Sequence, residues 1–474
     1  MENRERPLGV DRRGFLRLTA AASVAAFLAA CRGNAASGSP RVSASGPDPD
    51  ASPPGPSGVG FPAQGTAAPA PSAAAQVPSG RRTLYRGANL ATGRSARLET
   101  DISVLVADGR IAWIRPTDAE EDPGPAAGLV IVDARGTTIV PGLVDAHSHV
   151  MLPGGVDYRA RIGDRPAVLA AVAERNGLLA WQAGVRWLRD VGSPIGVDPV
   201  DGRRRALALG IRDRWRGEAN RPRIRAAGTW IASPGGRPAG SGLSIAHPAA
   251  LPSAALGQLR DGADLIKLYV QAPGGGSPWT AAEIGRVVKV VHAAGARVAA
   301  HVMDLGAAQA AVGGGVDALD HGFRIDTDLA RAMAAQGTFL VTTITVPKTW
   351  LGFARTAPWS SFATAAGRAN SNQLLRDALA SARIAHQAGV KIVAGTDFGG
   401  GGAHAGVLAG EVESLVEAGL QPWEALGAAT WRGGELLGEP DAGAVREGAL
   451  ADFVLVKGDP LSDPSVLWRI WRAA

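Results

Sequence analysis

From residue 141 onward one unit recurs, and it leaves few folds open to this chain: an alanine-rich helical pattern, a closing glycine, then a short apolar strand. The breaks fall at Gly184 in LLAWQAGVRWLRD, Gly295 in VVHAAGARVAAH, Gly337 in MAAQGTFLVTT and Gly389 in AHQAGVKIVAGTD. Glycine just past a helix end accepts the left-handed conformation that closes the last turn, so each break hands a helix over to a strand. The strand candidates are GLVDAHSH, GVRWLRD, PRIRAAG, ADLIKLYV, ARVAAH, VDALDH, TFLVTT and VKIVAGTD. Helical stretches separate them, such as TAAEIGRVVKVVHAAG, which opens with a Thr280/Glu283 capping box. Eight such units predict an α/β protein, a (β/α)8 TIM barrel over 141–440. A doubly wound open sheet is the alternative, but no glycine-rich dinucleotide fingerprint follows the first strand.

Two segments fall outside this pattern. Residues 81–140 alternate apolar and polar residues and carry an ADGR turn, and residues 441–474 have the same texture in GAVREGALADFVLVKGDP. The expectation is a small β-sandwich formed by the two ends of the folded part. Before it, residues 32–80 are Pro, Gly, Ala and Ser with few large apolar side chains, which predicts a disordered tether.

Residues 1–31 read as an export signal. DRRGFLRLTAAASVAAFLAAC places Arg12 and Arg13 ahead of an apolar stretch that is shorter than the roughly 20 residues needed to span a bilayer. RRGFLR resembles a twin-arginine signal, and LAAC resembles a bacterial lipobox whose cysteine, here Cys31, is lipidated after cleavage. Cys31 is the one cysteine in the chain, so no disulfide framework exists. The expected location is the cell envelope, with the protein held to the membrane by its N-terminal lipid. The net charge of +6 comes from scattered arginines without a dense basic block, which gives no footprint for nucleic acid.

The chemistry gathers where the strands end. His147 and His149 in VDAHSH lie two residues apart, so on a strand both rings face one side, roughly 6.5 Å apart along the chain. In a (β/α)8 barrel, sites assemble at the C-terminal strand ends. Five strands end in groups able to bind a cation: His147 with His149, Lys267, His301, His321 and Asp397. This spacing points to a metal site. Lys267 interrupts an apolar strand, where an unpaired ammonium is costly to bury and repels a neighbouring metal. Something must remove its charge.

The ordered set VDAHSH, GVRWLRDVG, GADLIKLYV, AAHVMD, GVDALDHG, AGTDFGG and GALADFVLVKGDPL resembles the amidohydrolase superfamily, in its imidazolonepropionase-like and Xaa-Pro dipeptidase-like branch. The resemblance runs over nearly all the chain from Arg81. It implies a Lys267 carbamate bridging two divalent ions, with His147, His149 and Asp397 on one and His301 and His321 on the other. Some members hold one metal and leave the lysine unmodified. Zinc is the expected metal for such a histidine-rich site.

The expected reaction is hydrolysis of an amide bond in a small molecule, a dipeptide or an N-acyl amino acid, with Asp397 as general base and then acid. Alternatives on the same fold are a cyclic amide (imidazolone or lactam) hydrolase, a deaminase, and an organophosphate or lactone hydrolase. A deaminase of this family carries a glutamate shortly after the fifth-strand histidine, where this chain has Asp304. From another class, a lipid-anchored solute binder with a degenerate site would bind no metal. Substrate contacts are expected from Tyr269, two residues beyond Lys267; from Arg237 in SPGGRPAG, where relatives often carry histidine and where arginine can grip a carboxylate; and from His404.

Overall fold

The structure is a computed structural model that describes residues 80–236 and 241–473. The signal with Arg12, Arg13 and Cys31, the tether before residue 80, and Arg237 lie outside the described residues.

The eight apolar runs become eight strands in chain order: β1 (Leu143–Ser148), β2 (Val185–Asp190), β3 (Arg223–Ala226), β4 (Leu265–Tyr269), β5 (Arg297–Val302), β6 (Ala318–His321), β7 (Phe339–Thr342) and β8 (Ile392–Ala394). Helices follow them: α1 (Pro166–Gln182), α2 (Leu207–Trp215), α3 (Leu251–Arg260), α4 (Ala281–Ala293), α5 (Leu305–Gly313), α6 (Thr327–Gln336), α7 (Thr345–Thr356), α8 (Ala365–Gln387) and α9 (Leu408–Glu417). All the pairings among the eight strands are parallel, and β1, β2, β6, β7 and β8 are buried along their whole length. Burial on both faces is why these strands read as continuous apolar runs rather than alternating ones.

The strands form two sheets, β1–β2–β3 and β4 through β8, the latter extended past β4 by two short strands. Single parallel bridges mark both seams, Ala227 with Leu265 and Ser148 with Phe398. At the second seam Asp397 N donates to His147 O (2.8 Å) and His149 N to Phe398 O (3.0 Å). The fold is thus TIM-barrel-like.

Local sequence explains the handovers. Gly184, Gly295, Gly337 and Gly389 all take positive φ, 83°, 74°, 76° and 79°, where a Cβ would be strained. Thr280 and Glu283 form the expected capping box at the start of α4. Ile284, Val287, Val288 and Val291 bury one stripe of that helix, each worth about 1.5–3 kcal/mol of apolar burial.

Both ends of the described chain meet in one seven-stranded sheet, in the order Ile470–Ala473, Phe453–Lys457, Thr137–Pro141, Arg82–Leu90, Glu99–Ala107, Arg110–Pro116, with Leu129–Asp133 also pairing with Arg82–Leu90. Thr137–Pro141 leads directly into β1, so this sheet anchors the start of the separate sheet whose first strand carries the His-x-His pair.

Candidate metal centre

The site begins with a buried carboxylate that locks two strands together. Asp145 accepts from Thr396 Oγ1 (2.6 Å), Thr396 N (3.0 Å) and His147 N (3.3 Å), which ties the exit of β1 to the segment after β8. Burial pushes the Asp145 carboxyl up to about 7, against those hydrogen bonds. Asp190, at the end of β2, accepts from Val150 N (2.7 Å) and Gly192 N (3.1 Å) and is pushed by burial to about 6. Gly192 O in turn accepts from His149 Nδ1 at 2.8 Å. That bond leaves His149 Nε2 for the cavity.

His147 Nε2 then lies 3.5 Å, and His149 Nε2 3.2 Å, from Asp397 Oδ1. That oxygen is buried and makes no hydrogen bond of normal geometry. A carboxylate oxygen facing two imidazole nitrogens without bonding to either is suited to a shared divalent cation. Ligand atoms of His147, His321 and Asp397 all lie within 4.8 Å of one another, so these residues could hold a metal ion. His321 Nδ1 is engaged by Thr343 Oγ1 at 2.8 Å, and burial, aided by His147, keeps the ring neutral by lowering it to about 3. Burial works to raise the Asp397 carboxyl, but the adjacent His147 and His149 outweigh it and hold it well below the usual range.

His301 completes a row of rings. Its centroid is 4.6 Å from that of His321, which is itself 4.6 Å from His147. Tyr269 stacks on His301 at 3.8 Å and 10°. His321 and Asp397 both have positive φ, 69° and 52°, an uncommon backbone for residues with side chains and one found at functional sites. His147, His149, Lys267, His301, His321 and Asp397 all line one cavity of about 290 Å³, together with Tyr269.

Lys267 has a partner that sequence reading did not supply. It is 2 % exposed, and its ammonium donates to Asp320 Oδ2 while Arg189 donates to Asp320 Oδ1. Burial lowers the Lys267 ammonium to about 8, with Asp320 opposing. Burial also works to raise Asp320, and Arg189, Lys267 and His147 overcome it to hold the carboxyl well below its ordinary value. Strand alternation would send Asp320 to the face opposite His321; the positive φ of His321 breaks that alternation. The overlooked signal was charge itself: Arg189 and Asp320 sit inside apolar strands at 3 % and 0 % exposure.

Other expected residues stand apart. His404 is exposed, 3.2 Å from Pro153 O, and does not line this cavity. Asp304 accepts from Ala307 N (2.9 Å) and Gly276 N (2.8 Å) and also from Gln271; it caps α5 and does not line the cavity.

Histidines and an aspartate presented by parallel strand exits to one cavity of a TIM-barrel-like fold define an enzyme that hydrolyses carbon–nitrogen bonds. The chain belongs to the amidohydrolase family, whose family model matches residues 138–470. An uncharacterized protein of Mycobacterium tuberculosis is 31% identical over 374 residues, 78% of this chain and 89% of that protein. An imidazolonepropionase of Saccharopolyspora erythraea is 38% identical over 76 residues, 16% of this chain and 18% of that one. The crystal structure of a Xaa-Pro dipeptidase with bound methionine in the active site superposes with a TM-score of 0.71 at 26% identity, covering 82% of this chain and 97% of that one. The chain is thus similar to a Xaa-Pro dipeptidase across most of its length and to an imidazolonepropionase over a short segment.

Proposed function

We propose that this enzyme cleaves the amide bond of dipeptides or N-acyl amino acids, using divalent metal held by His147, His149, His301, His321 and Asp397, with zinc as the metal. The observation that carries this reading is Asp397 Oδ1, buried between two imidazole nitrogens with no hydrogen bond of its own. When bound, such a metal lowers the pKa of water and polarises a carbonyl. Asp397, kept ionised by its histidine neighbours, takes the proton from the attacking water and passes it to the leaving nitrogen. Tyr269, stacked beside His301 on the cavity wall, hydrogen-bonds the carbonyl oxygen under attack. Lys267 as a carbamate would bridge a second ion.

The two seam bridges support reading the two sheets as one closed (β/α)8 barrel. A cyclic amide hydrolase is the second reading, favoured by the local similarity to an imidazolonepropionase. A deaminase is disfavoured, because Asp304 is committed to capping α5. Among the described residues no helix is long and apolar enough to cross a membrane. The proposed location, the cell envelope with a lipid on Cys31, rests on RRGFLR and LAAC.

A library of dipeptides, N-acyl amino acids and lactams incubated with the zinc-loaded protein tests the reading. Release of amino acid from the linear amides is expected, and turnover of lactams alone would overturn it in favour of ring opening.

A further inference from the structure

The cavity above the metal centre is lopsided. Leu152, Ile162, Trp230, Met303, Phe323 and Trp350 give it a largely apolar wall suited to a bulky hydrocarbon group. Among the described residues, two permanently or readily cationic side chains of Lys or Arg type line it. One is Lys267, buried and committed to Asp320. The other is Arg159, on the segment leaving β1, which is exposed and so stands at the mouth.

Arg159 is aimed by its neighbour. Its Nε donates to Tyr158 Oη at 3.0 Å, and its guanidinium carbon lies 5.5 Å from the centre of the Tyr158 ring. Tyr158 is 4 % exposed and lines the same cavity, so it provides a rigid shelf. The acids nearest in sequence do not take up the guanidinium: Asp164 is bonded by Arg161, and no carboxylate pairs with Arg159 among the described residues. A planar fork of donors, fixed at one nitrogen and carrying its remaining N–H groups at the rim of an apolar pocket, matches a carboxylate.

Building on the amide-hydrolase reading, we infer that Arg159 anchors a free carboxylate of the substrate, so that the enzyme acts on amides of amino acids whose carboxylate is unblocked and which carry a bulky apolar group. Hydrolysis adds hydroxyl to the acyl carbon and hydrogen to the nitrogen. The C–N bond breaks, and the amino acid held by Arg159 is the leaving half.

The test compares full-length, zinc-loaded wild-type protein with Arg159→Met on alanyl-phenylalanine and on alanyl-phenylalanine amide, which lacks the carboxylate. Loss of a charge-assisted pair predicts that KM for the free acid rises about 10- to 100-fold with little change in kcat, while kcat/KM for the amide stays within about twofold. Arg159→Lys recovers part of the loss, and the wild-type preference for the free acid shrinks as salt is added. Equal losses on both compounds, or an unchanged KM for the free acid, overturn the anchor. Binding is read separately: titration with 3-phenylpropanoate, which carries the carboxylate and the apolar ring but no amide to cleave, followed by the fluorescence of the cavity tryptophans, weakens 10- to 100-fold in Arg159→Met. Turnover of neither compound by the wild type overturns the amide-hydrolase reading, and the titration still decides the anchor, since equal affinities sink it.

Discussion

Asp320 accepts from Arg189 on one carboxylate oxygen and from Lys267 on the other, all three side chains being at most 3 % exposed. The cluster holds two cations and one anion. Its charge balance therefore predicts opposite effects for two neighbouring changes. Asp320→Asn leaves two buried cations facing an amide and is expected to lower stability by about 3–5 kcal/mol. Lys267→Met leaves a balanced Arg189–Asp320 pair and is expected to cost less than about 1.5 kcal/mol. Urea unfolding of the metal-free proteins measures both, and equal losses would show that the charge of the cluster does not decide its stability.

Asp397 is the group whose removal should separate chemistry from folding. Asp397→Asn keeps the shape and the backbone bond from Asp397 N to His147 O, but it cannot take a proton from water. A drop in kcat of about 10²–10⁴-fold, with an unchanged circular dichroism spectrum, is expected. Near wild-type kcat in that variant would remove Asp397 from the proton-transfer role.

Gly395 sets how closely β8 approaches the His-x-His strand. A Cβ there would sit 2.6 Å from His147 Cβ and 2.9 Å from His147 N, too close for either to stay in place. Gly395→Ala should displace His147, weaken zinc binding at least tenfold and cost about 1–3 kcal/mol in stability. Zinc affinity measured by competition with a chromophoric chelator reads the first effect independently of turnover.

The barrel strands were legible because most of them are buried on both faces, which writes them as apolar runs, and because four closing glycines carry the positive φ that a helix end needs. His147, His149, Lys267, His301, His321 and Asp397 were legible for a related reason: polar groups at the exits of apolar strands stand out. Asp320 and Arg189 did not stand out, since what they do depends on each other across strands and on a left-handed backbone at His321 that no alternation rule foresees. Arg159 was hidden among many loop arginines, and only the shelf formed by Tyr158 distinguishes it. Asp304 shows the converse. Its place after the fifth-strand histidine invites a catalytic reading, while its carboxylate is consumed by backbone N–H groups at the start of α5.

Export through a route that carries folded proteins would let the metal be inserted before the membrane is crossed. Replacing Arg12 and Arg13 by lysine should then trap the precursor in the cytoplasm, and Cys31→Ser should release an otherwise active protein from the membrane fraction. Undiminished surface delivery of the double lysine variant would contradict the proposed signal.

If Lys267 is carbamylated as proposed, occupancy by a second ion would depend on a competition for its nitrogen. In the pair with Asp320 its nitrogen is a hydrogen-bonded ammonium, unreactive toward carbon dioxide, but burial lowers it to about 8, so a growing share is free amine as the pH rises past that value. Carbamylation turns the nitrogen substituent into an anion and ends its attraction to Asp320, which Arg189 still holds. The new anion is then stable only with cations beside it, so carbon dioxide and the second ion must bind together. Zinc loading with bicarbonate at about pH 8 is expected to give two equivalents of metal and a carbamate carbon resonance with labelled bicarbonate. Loading in buffer purged of carbon dioxide is expected to give one equivalent and no such resonance, and Lys267→Met should give one equivalent under both conditions. Two equivalents in the Lys267→Met protein would show that the second ion needs no bridge from this strand.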